Sequence, residues 1–240
     1  DEILELAKEY TTIPVCREIY ADMVTPIALL RRLQARSRRF FLLESVEGGE
    51  KWARYSFLGY DPVLRARCKN GVVTIEGAEN RTIQTAKPLD VLRELLGKYR
   101  APRIEGLTPF TGGFVGYFAY AMLGYAEPKL RIRRGAWEDF DLLLFDKVIA
   151  YDHLRQKLVL VVNMSTDSVM ENYGKACAEL ENMAALVNDQ SPLPPLQAAE
   201  TPCFSCSITE EQYAAVVRKT REYIYNGDIF QAVQSRQFTS

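Results

Sequence analysis

The sequence predicts an α+β fold built largely from antiparallel sheets. Short apolar strands follow one another across turns, and helical patterns recur between groups of strands rather than after every strand. The dipeptide Asn70-Gly71, which accepts positive φ at both turn positions, joins two such strands into a hairpin.

The elements follow in order. Thr25 is placed as the N-cap of a first helix, Pro26 at its first position, and Ile27, Leu30 and Leu33 on one face. That helix feeds a strand from Phe40 to Leu43. A strand from Arg54 to Leu58 follows, then Val63 to Cys68, the Asn70-Gly71 turn, and Val72 to Ile75. Pro88 opens a second helix carrying Leu89, Leu92 and Leu96, which Gly97 ends. Gly113 to Tyr120 reads as a buried strand whose glycines let another backbone or a ligand come close, and its spacing does not fit a dinucleotide-binding loop. Leu142 to Tyr151 and Lys157 to Val162 read as two strands joined by the turn Asp152 to Gln156. Val169, Tyr173, Ala176, Leu180, Met183 and Val187 then mark an amphipathic helix. Thr209-Glu210-Glu211-Gln212 fits a capping box that starts a helix with Tyr213, Val216, Val217, Thr220 and Ile224 on one face. Gly227 ends that helix, and a strand begins at Phe230.

These elements divide into a domain over residues 1–187, a proline-rich linker over 188–202, and the start of a second domain over 203–240. One helix and one strand cannot bury a core, so the second domain is expected to be incomplete. A first residue Asp1 rather than Met likewise suggests a piece of a longer chain.

Composition narrows the function. A net charge of −1 with 25% charged residues supplies no basic field for nucleic acid. The cluster Arg31, Arg32, Arg36, Arg38, Arg39 lacks interleaved aromatics and reads as a solvated face. The apolar run from Phe114 to Leu123 is too short to span a bilayer, and no secretory segment is evident, so no membrane role and a cytoplasmic location are expected. Five cysteines at irregular spacing make no disulfide framework. Cys203 and Cys206 lack further ligands for zinc, since His153 is the sole histidine. His153 itself, beside Asp152 in a turn, reads as a surface residue rather than a general base. The acids Glu138, Asp139 and Asp141 precede an apolar strand and read as a solvated loop, so no metal is assigned to them.

One polar group draws a ligand reading. Glu44 and Ser45 end the Phe40 to Leu43 strand, and Arg54 opens the next. A carboxylate can hold an ammonium, a guanidinium can fork onto a carboxylate, and a hydroxyl can supply one more bond, which together suit a free amino acid. The same residues can equally form a solvated ion pair beside a hairpin.

The stretch Phe41-Leu42-Leu43-Glu44-Ser45, continued by Arg54-Tyr55-Ser56-Phe57-Leu58-Gly59-Tyr60-Asp61-Pro62, resembles the signature of the large (component I) subunits of anthranilate synthase, among the chorismate-utilising enzymes. Ile13-Pro14-Val15 and Asp22-Met23-Val24-Thr25-Pro26 resemble that family's opening. Phe110-Thr111-Gly112-Gly113-Phe114-Val115-Gly116-Tyr117-Phe118-Ala119-Tyr120 resembles its glycine-rich strand, and Asn226-Gly227-Asp228-Ile229-Phe230-Gln231-Ala232-Val233 the opening of its catalytic half. Ala121 stands where the family often has aspartate, and Gln234 and Gln237 are less usual.

The resemblance implies two orthogonal antiparallel sheets with outer helices and a regulatory N-terminal portion. It also implies conversion of chorismate and ammonia to anthranilate and pyruvate, the ammonia coming from glutamine through an amidotransferase subunit. Feedback inhibition by L-tryptophan would involve Glu44 and Ser45, with Arg54 and Lys51 for its carboxylate. Mg²⁺ would be needed, on ligands outside this sequence. In the water-adding relatives a lysine matches Gln231 and serves as base; a neutral glutamine there suits ammonia, already a nucleophile when unprotonated. Two alternatives stay open: the sister component I of aminodeoxychorismate synthase, separated by a motif this sequence does not contain, and a non-catalytic amino-acid-binding module.

Overall fold

The computed structural model describes residues 2–22, 24–44, 54–130, 132, 135–193 and 201–239. They form two compact units, Asp1–Pro194 and Pro195–Ser240.

The first unit holds two five-stranded sheets in which every pairing is antiparallel. After a short helix α1 (Glu2–Leu6) come β1 (Thr12–Tyr20), α2 (Pro26–Arg36), β2 (Phe40–Leu43), β3 (Tyr55–Tyr60), β4 (Leu64–Lys69), β5 (Val72–Gly77) and β6 (Arg81–Gln84). Then follow α3 (Pro88–Gly97), β7 (Gly113–Phe118), a 3₁₀ turn and a short α4 (Leu123–Ala126), β8 (Phe140–Phe145), β9 (Lys147–Asp152), β10 (Lys157–Ser165) and α5 (Val169–Asn188). The first sheet has the order β1-β10-β9-β3-β2 and the second β6-β5-β4-β8-β7.

Local chemistry explains most boundaries. The Thr25 hydroxyl accepts from the Ala28 N–H at 3.2 Å and starts α2 as expected. Asn70 and Gly71 stand at φ of 50° and 80°, the twist-matched hairpin turn. The helix faces differ from the expected ones. In α2 the core residues are Pro26, Leu29 and Leu33, while Ile27 is 49% exposed. In α3 they are Pro88, Val91, Leu92 and Leu95, and Leu89 and Leu96 face outward. Both helices are leucine-rich enough to offer two adjacent stripes, and the sheet each lies on decides between them.

The run expected as one strand from Leu142 to Tyr151 is two strands in two sheets. The chain crosses at Asp146, whose carbonyl accepts from the Asn163 N–H at 2.8 Å and the Asn163 amide at 3.0 Å. The expected buried strand at Gly113 is instead the edge of the second sheet, with its last three residues exposed. Its glycines do allow close approach: a Cβ at Gly116 would stand 2.0 Å from the Asp141 carbonyl oxygen. β1, unmarked by clean alternation, pairs among the described residues with β10 alone, an edge place that tolerates Pro14.

Helices α2 and α5 cover one face of the first sheet through Leu29, Leu33, Ala176, Leu180 and Met183 against Leu58, Ile149, Leu158 and Leu160. Each such buried leucine, isoleucine or methionine side chain is worth about 1.5–3 kcal/mol. Helix α3 closes the second core over Leu64, Val73, Ile75, Phe140 and Leu142. The rings of Phe41, Phe57, Phe110 and Phe145 bridge the sheets, with Phe41 and Phe145 centroids 4.7 Å apart.

Two polar expectations also change. Asp139 is 1% exposed, not solvated; it accepts from the Tyr125 hydroxyl at 2.6 Å and the Asn70 N–H at 2.8 Å. Asp141 pairs with Arg65 at 2.5 Å. The expected linker begins inside the first unit, because α5 runs through Asn188 and Asp189 binds Arg36 at 2.9 Å.

The second unit comprises β11 (Ser205–Cys206), α6 (Glu210–Tyr225) and β12 (Phe238–Thr239), with β11 and β12 paired. The capping box forms in full between Thr209 and Gln212. At the other end Gly227 adopts φ 79°, its N–H reaching the Ile224 carbonyl while that of Asp228 reaches Tyr223, a Schellman closure. No residue of α6 is buried. The strand expected from Phe230 is found only at Phe238–Thr239, since residues 230–237 pair with no strand among the described residues.

Candidate functional site

Glu44 follows β2 and Arg54 precedes β3, at the end of the pair where the chain joins the two strands. Leu43 lies opposite Phe57, so the register continued by one residue sets Glu44 across from Ser56, which itself pairs with Tyr151 on β9. Glu44 is exposed, and among the described residues none donates to its carboxylate. Ser45 and Lys51 lie outside the described residues. Gln231 is an exposed residue of the second unit, in the stretch between α6 and β12.

The Arg54 guanidinium is already engaged. Its Nη2 reaches Asp152 Oδ2 at 2.6 Å, and its Nε lies 3.1 and 3.2 Å from the two oxygens of the same carboxylate. Asp152 is 4% exposed and sits at the end of β9, where Oδ1 also accepts from the N–H groups of Leu154 and Arg155, each at 3.1 Å. Burial alone would raise the Asp152 pKa, but the Arg54 hydrogen bond and the two turn amides outweigh it and hold the carboxyl below its ordinary range. The Arg54 pKa moves up, chiefly through its hydrogen bond to Asp152.

His153 is more than the surface residue expected from sequence. Its Nε2 lies 2.7 Å from the hydroxyl of Ser56, which is fully buried, and its ring tilts against Tyr151 at 4.6 Å. Its backbone N–H donates to the Arg54 carbonyl at 2.8 Å. Asp152 and His153 were legible as polar residues closing an apolar strand; only the register shows that they meet Arg54 and Ser56.

A separate cleft of about 340 Å³ lies between the first sheet and α5, lined by Asp146, Lys147, Asn163, Asn172, Lys175 and Glu179 among others. Lys147 and the Tyr60 hydroxyl both reach Glu179 at 3.3 Å. Asp146 Oδ1 is buried without a hydrogen-bond partner among the described residues, and burial pushes its carboxyl pKa up. Among the described residues, no three or more histidine, cysteine or acidic side chains come together as a group. The cysteines are free thiols. No helix among the described residues is long and apolar enough to cross a membrane.

Comparison with known proteins decides the family. The model of the chorismate binding enzymes matches residues 39–240. The chain belongs to the chorismate-binding enzyme family. Within it, the chain is 34% identical over 99% of its length to "Anthranilate synthase component 1" of Acetivibrio thermocellus, covering 50% of that protein. It is 34% identical over its whole length to the protein of the same name from Pseudomonas aeruginosa, covering 51% of it, and 35% identical over 96% of its length to that of Acinetobacter calcoaceticus, covering 48%. The chain thus spans about half the length of the curated relatives it matches. The crystal structure of anthranilate synthase component I from Streptococcus pneumoniae TIGR4 superposes on 92% of the chain with a TM-score of 0.54 and 26% identity, covering 48% of that structure. The α+β fold with antiparallel sheets is therefore that of a chorismate-binding enzyme.

Proposed function

We propose that the chain is the N-terminal, regulatory portion of an anthranilate synthase component I, together with the beginning of its catalytic half. The observation that carries this is a likeness spanning essentially the whole chain, at about one residue in three, to several proteins of that one name. The complete subunit would convert chorismate and ammonia to anthranilate and pyruvate in tryptophan biosynthesis, in the cytoplasm. A glutamine amidotransferase subunit would supply the ammonia. Mg²⁺ would be held by residues outside this chain.

The two units divide these tasks. The first carries Glu44 and Ser45, proposed to take the ammonium and a further hydrogen bond of the inhibitor L-tryptophan. Lys51 is a further candidate, for its carboxylate. The second carries Gln231, a neutral side chain proposed to lie near chorismate; it takes up no proton at neutral pH, so it does not activate water as a lysine would. Expression of the complete polypeptide in a tryptophan-requiring strain that lacks component I tests the reading. Growth without tryptophan supports it; growth restored only in a strain lacking the aminodeoxychorismate enzyme overturns it.

A further inference from the structure

We propose that Arg54 is a positioning residue, clamped by Asp152, and that the turn between β9 and β10 sets where the Glu44 end of β2 stands. The proposal rests on the regulatory reading of that strand end and reassigns one of its residues.

Three observations carry it. First, Arg54 already grips a carboxylate through Nε and Nη2, the fork that a ligand carboxylate would otherwise take. A ligand that displaced Asp152 would leave a 4% exposed carboxylate without its counter-charge. One that shared the guanidinium would bring a second negative charge against the first. Second, Asp152 is fixed from its other side by the amides of Leu154 and Arg155, so Arg54 is tied to a closed turn rather than to a swinging side chain. Third, two more bonds fasten the same turn to the same strand: the His153 N–H to the Arg54 carbonyl, and the His153 ring to the buried Ser56 hydroxyl.

The connection to Glu44 runs through the sheet. β2 is a four-residue edge strand whose sole strand partner among the described residues is β3, and β3 is held on its other side by β9. Ser56, the residue across from Glu44, is the one bonded to His153. The clip of Arg54, Asp152, Ser56 and His153 therefore locates the edge strand at the row where Glu44 sits.

The test uses the complete enzyme with its partner subunit, in the variants Asp152→Asn, Arg54→Lys and, as a reference, Ser45→Leu. Asparagine keeps an oxygen for the Leu154 and Arg155 amides but removes the charge that holds Arg54. A positioning role predicts that Asp152→Asn and Arg54→Lys both raise the tryptophan concentration for half-inhibition, by about tenfold, a shift of the size typical for coupling between sites. Uninhibited kcat and chorismate KM stay within about twofold for Asp152→Asn. If Arg54 instead holds the ligand carboxylate, Asp152→Asn frees it and inhibition is unchanged or tighter, which overturns the proposal. Amide hydrogen exchange keeps this outcome separate from failure of the regulatory reading. If Ser45→Leu leaves inhibition intact, that reading falls, and the clip stands or falls on whether Arg54→Lys speeds exchange at His153, Leu154 and Arg155 about tenfold. Unchanged exchange there overturns it.

Discussion

Replacing Gly116 by alanine creates a clash whose size can be read from the β7–β8 pair. The added Cβ would lie 2.0 Å from the Asp141 carbonyl oxygen and 2.9 Å from the Leu142 Cα. Ordinary contact begins near 3.4 Å, so the shortfall at the oxygen is 3.4 minus 2.0, or 1.4 Å. Both obstacles are backbone atoms, and no rotamer change relieves them. β7 is an edge strand paired among the described residues with β8 alone, so the least costly response is for it to lift away and weaken the ladder that runs from Gly113 with Phe145 to Phe118 with Phe140. Overpacking of this kind costs about 1–3 kcal/mol. Losing one or two ladder bonds adds about 1 kcal/mol each, for roughly 2–5 kcal/mol in all. At this size of unit, with about 2–4 °C per kcal/mol, that lowers Tm by about 4–20 °C, measurable by circular dichroism during thermal and urea unfolding. Gly174→Ala is the control: it sits mid-helix in α5 with nothing within 4 Å of the new Cβ and should stabilise by about 1 kcal/mol. A Gly116→Ala protein within about 0.5 kcal/mol of its parent would refute the reasoning, since that is the range of an ordinary surface change.

Three further outcomes follow from the charges and the proposed site. Asp146→Asn should stabilise the fold at pH 7 by about 1 kcal/mol, because the buried Oδ1 has no partner among the described residues and burial raises its pKa. A raised carboxyl pKa means the folded state holds its proton more tightly, so this group's penalty grows as pH rises through the window above the ordinary carboxyl value; a urea series against pH checks that the gain disappears at low pH. Asp152 has the opposite sign. Its depressed pKa contributes stability that is present above the unfolded carboxyl value near 3.9 and lost as pH falls below it through the folded one, and the same series on Asp152→Asn should show that acid-side loss flattened. Finally, Ser45→Leu in the complete enzyme should relieve tryptophan inhibition while leaving activity largely intact, because it removes a hydrogen-bonding hydroxyl and fills its place with carbon; inhibition curves that coincide with the parent's would remove Ser45 from the site.

Much of the fold was legible because short-range chemistry dictates it. Thr25-Pro26, Asn70-Gly71, the Thr209–Gln212 box and Gly227 each act within a few residues of themselves, and each forms as the sequence implies. What escaped is set by distant partners. Whether Leu29 or Ile27 faces inward depends on the side of the sheet on which α2 lies. The change of sheet at Asp146 depends on Asn163, seventeen residues later. Gly113 to Tyr120 and Phe230 were read as strand from apolar content, but burial and pairing depend on distant segments: the first is an edge, and the second, 93% exposed, pairs with no strand among the described residues. The site divides the same way. Glu44 and Arg54 were legible as polar strand ends, whereas the engagement of Arg54 by Asp152, 98 residues on, appears only when β3 and β9 are set in register.

The most direct measurement is anthranilate formation by the complete polypeptide that contains this chain, purified and supplied with chorismate, ammonium and Mg²⁺. The account predicts anthranilate fluorescence that rises in proportion to enzyme and is suppressed by L-tryptophan, and no such signal from the 240-residue chain alone. Accumulation of aminodeoxychorismate by the complete polypeptide instead, or chorismate turnover by the 240-residue chain by itself, would contradict it.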